Sequence, residues 1–307
     1  LGAGLPPYKK NARGILLRTA LSKLGLGAAQ FPLDGQAPSR GRPPETEVGD
    51  ILAIAARSGV GLLDTTTAAM NGEALIGQRL PAPCPFRIMV KTARADKGAD
   101  HVEAEAIASL RRLGLQCADA IVVQLASDLF GPHGQELWTR LLSLRDRGLF
   151  QRVGISVYAS DDPEGLVRRF KPDIIQAPAS LLDQRLLASG VLAKLAEAGV
   201  EVQLRSIFLQ GLLFLPPDRM PGPLKGAASR LSRVRRMIAE GRSDPLQAAL
   251  GFALSRPEAS SVIVGVTTAA ELQAVVAAAL SPPPDLDWDD MALDDPAALD
   301  AHSWAAA

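Results

Sequence analysis

An acid stands at the end of one apolar run of this chain, and an amine at the end of the next. Asp64 lies in GLLDTT and Lys91 in FRIMVKT. A charge inside an apolar strand is costly unless it is paired. On adjacent strands at equivalent heights the two would neutralise each other. Such a pair can tune acid–base chemistry, or it can hold its place and do no chemistry, and the spacing fits both. The following apolar runs carry Gln124, Ser156, Gln176, Arg205 and Ser206, all polar and all in or just after their runs.

Something must bring these residues together. Apolar runs of strand length alternate with helical patterns along almost the whole chain. The predicted strands are Lys23–Gln30, Gly61–Thr66, Phe86–Thr92, Ala118–Ala126, Arg152–Val157, Pro172–Ala179, Glu201–Phe208 and Ser261–Val266. Continuous apolar strands are buried on both faces, as in parallel sheets covered by helices. Several helical patterns end in glycine just before the next strand, at Gly59, Gly114, Gly148 and Gly199, where the left-handed position after a helix suits that residue. Eight such units predict a closed (β/α)8 TIM barrel, in which chemistry sits where strands end and loops begin. An open doubly wound sheet is the alternative, but no G-x-G-x-x-G follows the first strand. The barrel is expected to form one domain over 1–307, with an arm over about 1–17 and an irregular tail over about 281–307. Between them, Leu212–Ser243 breaks the rhythm with a basic helical stretch, read as a solvated face or as a lid or anion-attracting rim.

Composition narrows the function classes. Lys+Arg and Asp+Glu both number 33, so the formal net charge is zero and no basic stripe invites nucleic acid. No run of eighteen apolar residues predicts a membrane span. The first residues show no charged segment followed by an apolar run, so no leader is expected. Two isolated cysteines, Cys84 and Cys117, fit a reducing, cytoplasmic setting. The three histidines, His101, His133 and His302, share no ligand spacing, and no metal is expected.

Several stretches in order resemble the aldo-keto reductase superfamily. They are KLGLGAAQF, LLDTTTAAMNGEALIG, VKT, SLRRLG leading into ADAIVVQL, GLFQRVGISVY, IIQAPASLLDQR, VQLRSIFLQGLL and SVIVGVTTAAELQ, over about Arg18 to Leu280. The resemblance implies carbonyl reduction by hydride from a nicotinamide cofactor, with an Asp, Tyr, Lys and His in the site. There the tyrosine hydroxyl protonates the carbonyl oxygen, and the lysine makes it a better acid. Asp64 and Lys91 match. The tyrosine position falls on Ala69 and the histidine on Gln124, and alanine has no proton to give.

On the cofactor side, Ser156 and Gln176 match the residues that hold the nicotinamide amide, while the asparagine between them is Val157. The stacking aromatic is Arg205, whose plane can stack and also offers an anion site. Ser206 fits the serine beside it. Gly265 and Thr267 match the phosphate end, where a helix N-terminus suits an anion. The basic residue expected on the 2′-phosphate is Thr267, and the acidic and amide residues beyond it are Ala274 and Val275. Losing a charged contact of that kind costs roughly 1.5–3 kcal/mol. NADP(H) and NAD(H) therefore both stay open.

Tyr158, after the fifth strand, is a surrogate proton donor, weighed against packing as a loop aromatic. His133 and Lys91 are further candidates. Two functions follow. One is an NAD(P)H-dependent oxidoreductase acting on a small molecule with a degenerate tetrad. The other is a lyase- or isomerase-type enzyme, or a binding protein without turnover, on the same barrel.

Overall fold

A computed structural model describes residues 20–29, 31, 45–216, 219–220 and 222–300. Eight strands close into a parallel barrel in chain order. They are β1 (Leu24–Gly27), β2 (Leu62–Thr66), β3 (Arg87–Lys91), β4 (Ala118–Val123), β5 (Phe150–Ser156), β6 (Ile174–Pro178), β7 (Glu201–Arg205) and β8 (Ala259–Gly265). The TIM barrel is therefore the fold, and each strand falls on its predicted run. The expected arm, about 1–17, lies outside the described residues, as do Gln30 and Tyr8.

The main helices are α1 (Glu45–Ser58), α2 (Met70–Arg79), α3 (Ala99–Leu113), α4 (Gly134–Asp146), α5 (Pro163–Phe170), α6 (Val191–Glu197), α7 (Ala228–Glu240), α8 (Pro245–Leu254) and α9 (Ala269–Ala279). Their apolar spacing sets the face they bury. In α1, Val48, Ile51, Leu52 and Ala55 follow the helical repeat and are buried. Gly59, Gly114, Gly148 and Gly199 all have positive φ, from 69° to 81°, so each helix stops where glycine alone turns freely. Helix α8 was not singled out in the sequence, because it is apolar all round and shows little periodicity. Its start was legible: Asp244 caps Leu246 and Gln247 N–H at 2.9 Å, with Pro245 first in the helix.

The main core lies between the barrel wall and the helices, and holds Leu26, Ile51, Leu63, Val90, Ile121, Ile155 and Leu204 among others. A second core packs Leu212, Leu231, Val234 and Phe252 under the tail residues Met291 and Leu293. The described tail is thus ordered over this core and includes short helical turns at Asp289–Met291 and Pro296–Leu299. The basic residues of α7 are not simply solvated. Arg235 donates to the Leu213 carbonyl at 3.0 Å and Arg230 to the Asp290 carbonyl at 2.7 Å. They satisfy carbonyls that irregular segments leave without ladder partners.

Inside the barrel, a charged plug closes the N-terminal end. Glu201 on β7 accepts from Arg87 on β3 at 3.2 Å, from Arg152 on β5 and from Gln203 at 2.8 Å, and Arg87 also reaches Ser261 on β8. Strands β3 and β7 face each other across the barrel, so this link crosses the lumen. Above it lies a small apolar layer of Leu62, Met89, Ala120, Val122, Ile174 and Ile263.

Gly77 lets α2 and α3 touch. A methyl group there would sit 2.3 Å from the Arg112 carbonyl oxygen. Gly77→Ala is expected to cost about 1–3 kcal/mol of stability, since the overlap with rigid backbone outweighs the helix propensity of alanine. Chemical denaturation measures this, and a variant as stable as the parent would show that the helices part freely.

Candidate active site

The polar residues of the upper strands converge at the C-terminal mouth. Lys91 Nζ donates to Asp64 Oδ2 at 2.5 Å, and the Asp64 side chain is 4% exposed. The two are not at the equivalent heights that the sequence suggested. Asp64 registers with Met89, and Lys91 registers with Thr66. Met89 and Lys91 are two residues apart, so they share a face, and the long lysine stem reaches back down to the acid. The other carboxylate oxygen, Asp64 Oδ1, is buried without a hydrogen bond.

Around this pair, Ala69 is buried and precedes α2, its N–H donating to the Thr66 carbonyl at 3.0 Å. Gln124 follows β4. Its backbone N–H donates to Thr92 Oγ1 at 3.1 Å, and its side-chain oxygen accepts from Thr66 Oγ1 at 3.5 Å. Glu73 is wholly buried beneath the mouth, held by Ser109 at 2.5 Å, Arg112 at 2.8 Å and Thr65 at 3.3 Å. Burial raises its pKa against the pull of these partners. Its contacts tie β2 and α2 to α3, so it serves the frame of the site.

On the opposite wall, Ser156, Gln176 and Gln203 register across β5, β6 and β7. Gln176 Nε2 donates to Gln203 Oε1 at 3.4 Å, and its own Oε1 is buried and unpartnered. Val157 is buried in the outer core and offers no side-chain amide to the mouth. Its carbonyl accepts from Arg205 Nη2 at 2.7 Å. Arg205 Nη1 donates to Ser206 Oγ at 3.1 Å, and the guanidinium carbon lies 4.8 Å from the centre of the Tyr158 ring. Burial lowers the Arg205 pKa, against the raising influence of Tyr158, Asp64 and Asp161. The contacts of Arg205 with the Val157 carbonyl and the Tyr158 ring join the ends of β5 and β7. After β7 the backbone turns left-handed at Ser206, Leu209 and Gln210, with φ of 59°, 44° and 53°, a conformation uncommon for non-glycine residues and here repeated three times within five positions.

Of six buried side-chain polar atoms without a hydrogen bond among the described residues, four are at this mouth: Asp64 Oδ1, Thr67 Oγ1, Gln176 Oε1 and Arg205 Nε. The other two, Arg235 Nη1 and Glu258 Oε2, lie elsewhere, so the mouth is where such groups concentrate and where a ligand or water would find polar partners. A cleft of about 90 Å³ opens beside Tyr158, Arg205 and Ser206. His133 is exposed and faces Glu136 at 3.6 Å.

Gly265 and Thr267 close β8, and there the structure adds two residues that sequence reasoning passed over. The Thr267 N–H and hydroxyl donate to Glu271 Oε2 at 2.7 and 3.1 Å, and the Ala269 N–H donates to Glu47 of α1. The first was legible, since T-x-x-E at Thr268–Glu271 is a helix-start signature. The second joins residues 222 positions apart. Among the described residues, no three His, Cys, Asp or Glu side chains form a metal cluster. No described helix is long and apolar enough to cross a membrane.

Known proteins agree with this architecture. An aldo-keto reductase from Mycolicibacterium smegmatis (strain ATCC 700084 / mc(2)155) is 27% identical over 131 residues, 41% of this chain and 46% of the relative. The match thus spans under half the length of that curated relative. The holo form of an aldo-keto reductase from Bacillus halodurans superposes with a TM-score of 0.70 at 21% identity, over 88% of this chain and 89% of that one. The structure of PA4992 from Pseudomonas aeruginosa gives 0.63 at 21%, over 85% and 90%. At this identity the likeness is one of fold. The Aldo/keto reductase family model matches residues 23–292. With most of its length matched, and with Asp64, Lys91, Ser156 and Gln176 gathered at the mouth of the barrel, the chain belongs to the aldo/keto reductase family.

Proposed function

We propose that this protein is an NAD(P)H-dependent oxidoreductase acting on a small carbonyl compound with a degenerate tetrad. Asp64 and Lys91 are kept in it, and Ala69 and Gln124 stand in the other two places. The observation that carries the reading is the buried Lys91–Asp64 pair at the mouth, facing the Ser156–Gln176 wall. The nicotinamide end suits the cofactor. Gln176 Oε1 is a buried acceptor without a donor, and Ser156 lies beside it in register, which is what a carboxamide requires. When bound, the cofactor supplies hydride. Lys91 holds a positive charge where oxygen would become negative, and Asp64 keeps it in place. Tyr158 carries the only phenol among the described residues and is the proton donor of this reading, with Arg205 on its ring face.

The competing reading is a non-redox lyase or isomerase resting on Lys91, or a binding protein without turnover. Ala69 and Gln124 support it, since neither side chain can shuttle a proton. Calorimetric titration with NADH and NADPH separates the two. Failure of both to bind below about a millimolar, roughly −4 kcal/mol, rejects the redox reading. If either binds, Ala69→Tyr with Gln124→His is expected to raise aldehyde-dependent oxidation of that cofactor by about 100-fold or more, the usual worth of a placed acid–base group. No increase would show that the substrate pocket has also changed.

A further inference from the structure

We infer that the corner between β8 and α9 selects against a 2′-phosphorylated dinucleotide, and that Glu271 is the specificity-determining residue. This rests on the dinucleotide reading above. In barrels of this kind the loops after the seventh and eighth strands, with a helix N-terminus, form the usual phosphate site, because unbonded N–H groups point outward there.

Here those donors already have partners. Thr268 caps α9, its hydroxyl accepting from Glu271 N–H at 3.1 Å. The Glu271 carboxylate folds back and accepts from the Thr267 N–H and the Thr267 hydroxyl. Glu47, from the first turn of α1, takes the Ala269 N–H. A phosphate arriving at this corner would have to displace charge-assisted hydrogen bonds of the chain itself, and would then lie beside two carboxylates.

The adjacent cleft is consistent with that exclusion. It holds about 160 Å³ between Phe208, Phe214, Leu246, Val266 and Val275, with Glu271 on its lining and no lysine or arginine among its described walls. A free 2′-hydroxyl is a donor and meets in Glu271 an acceptor; a phosphate is an acceptor only, and meets like charge. One carboxylate therefore favours the unphosphorylated cofactor and disfavours the phosphorylated one.

Calorimetric titration of the full chain tests this by binding, without turnover. NADH is expected to bind at least about tenfold more tightly than NADPH, and the gap is expected to narrow with added salt, which screens the repulsion. Glu271→Gln keeps an oxygen for Thr267 and removes the charge, so NADPH affinity is expected to rise several-fold while NADH affinity changes little. Equal or tighter binding of NADPH by the parent protein overturns the inference and leaves the redox reading standing. An unaltered ratio in Glu271→Gln also overturns it. If that variant does not fold, a salt-independent ratio in the parent does the same. Failure of both cofactors to bind removes the redox reading, and the inference with it.

Discussion

Lys91→Ala is expected to lose about 3–5 kcal/mol of folding stability, the cost of leaving a buried charge without its partner. Asp64 is 4% exposed and Lys91 13%, so water replaces little of what the lysine supplies. Chemical denaturation at neutral pH measures the loss. Lys91→Met combined with Asp64→Leu is expected to recover most of the loss, since a buried pair can be exchanged for apolar residues at little cost. A single variant within about 1 kcal/mol of the parent at neutral pH would mean that the site admits water freely, and the pair could then not serve as a desolvated charge for catalysis.

Glu201→Ala is expected to cost about 2–4 kcal/mol, by opening the plug at the other end of the barrel. The cost is smaller than for a fully buried pair because Arg87 is 39% exposed and finds water when its partner is gone. Arg152 would keep Asp119. Burial pushes the Glu201 pKa up, but hydrogen bonds from Gln203 and Arg152 and the charges of Arg87 and Arg152 outweigh it, so the net shift is downward. The stabilisation is therefore complete above the ordinary glutamate range and is lost as pH falls through the depressed folded value. The parent protein should lose stability in acid more steeply than Glu201→Gln. Identical acid profiles would remove Glu201 from the groups that set acid lability. This end holds the barrel together, whereas barrels of this kind build their chemistry on the opposite face.

The two ends of the barrel thus differ in what their charges do, and both rest on strands written plainly in the sequence. All eight strands were legible, because a parallel strand covered on both faces must be apolar along its length, and glycines mark the ends of its helices. Asp64 and Lys91 were legible as a pair because an isolated charge cannot be left in such a strand. The basic stretch in α7 was harder. Its composition matches a solvated face, yet Arg230 and Arg235 bond carbonyls of segments far along the chain, a role that composition does not encode.

At the candidate site the sequence by itself determined residue identities and the strand on which each stands. That was enough to put Asp64, Ala69, Lys91 and Gln124 at or just after the ends of neighbouring strands, since the apolar runs fix where each strand stops. Only the tertiary structure decided the contacts. It brought Arg205 over Tyr158, left Asp64 Oδ1 and Gln176 Oε1 without partners, and put the carboxylates of Glu47 and Glu271 on donors that a phosphate would need. The reason is that hydrogen bonding is settled over a few ångströms in space, between residues that barrel closure brings together from opposite ends of the chain.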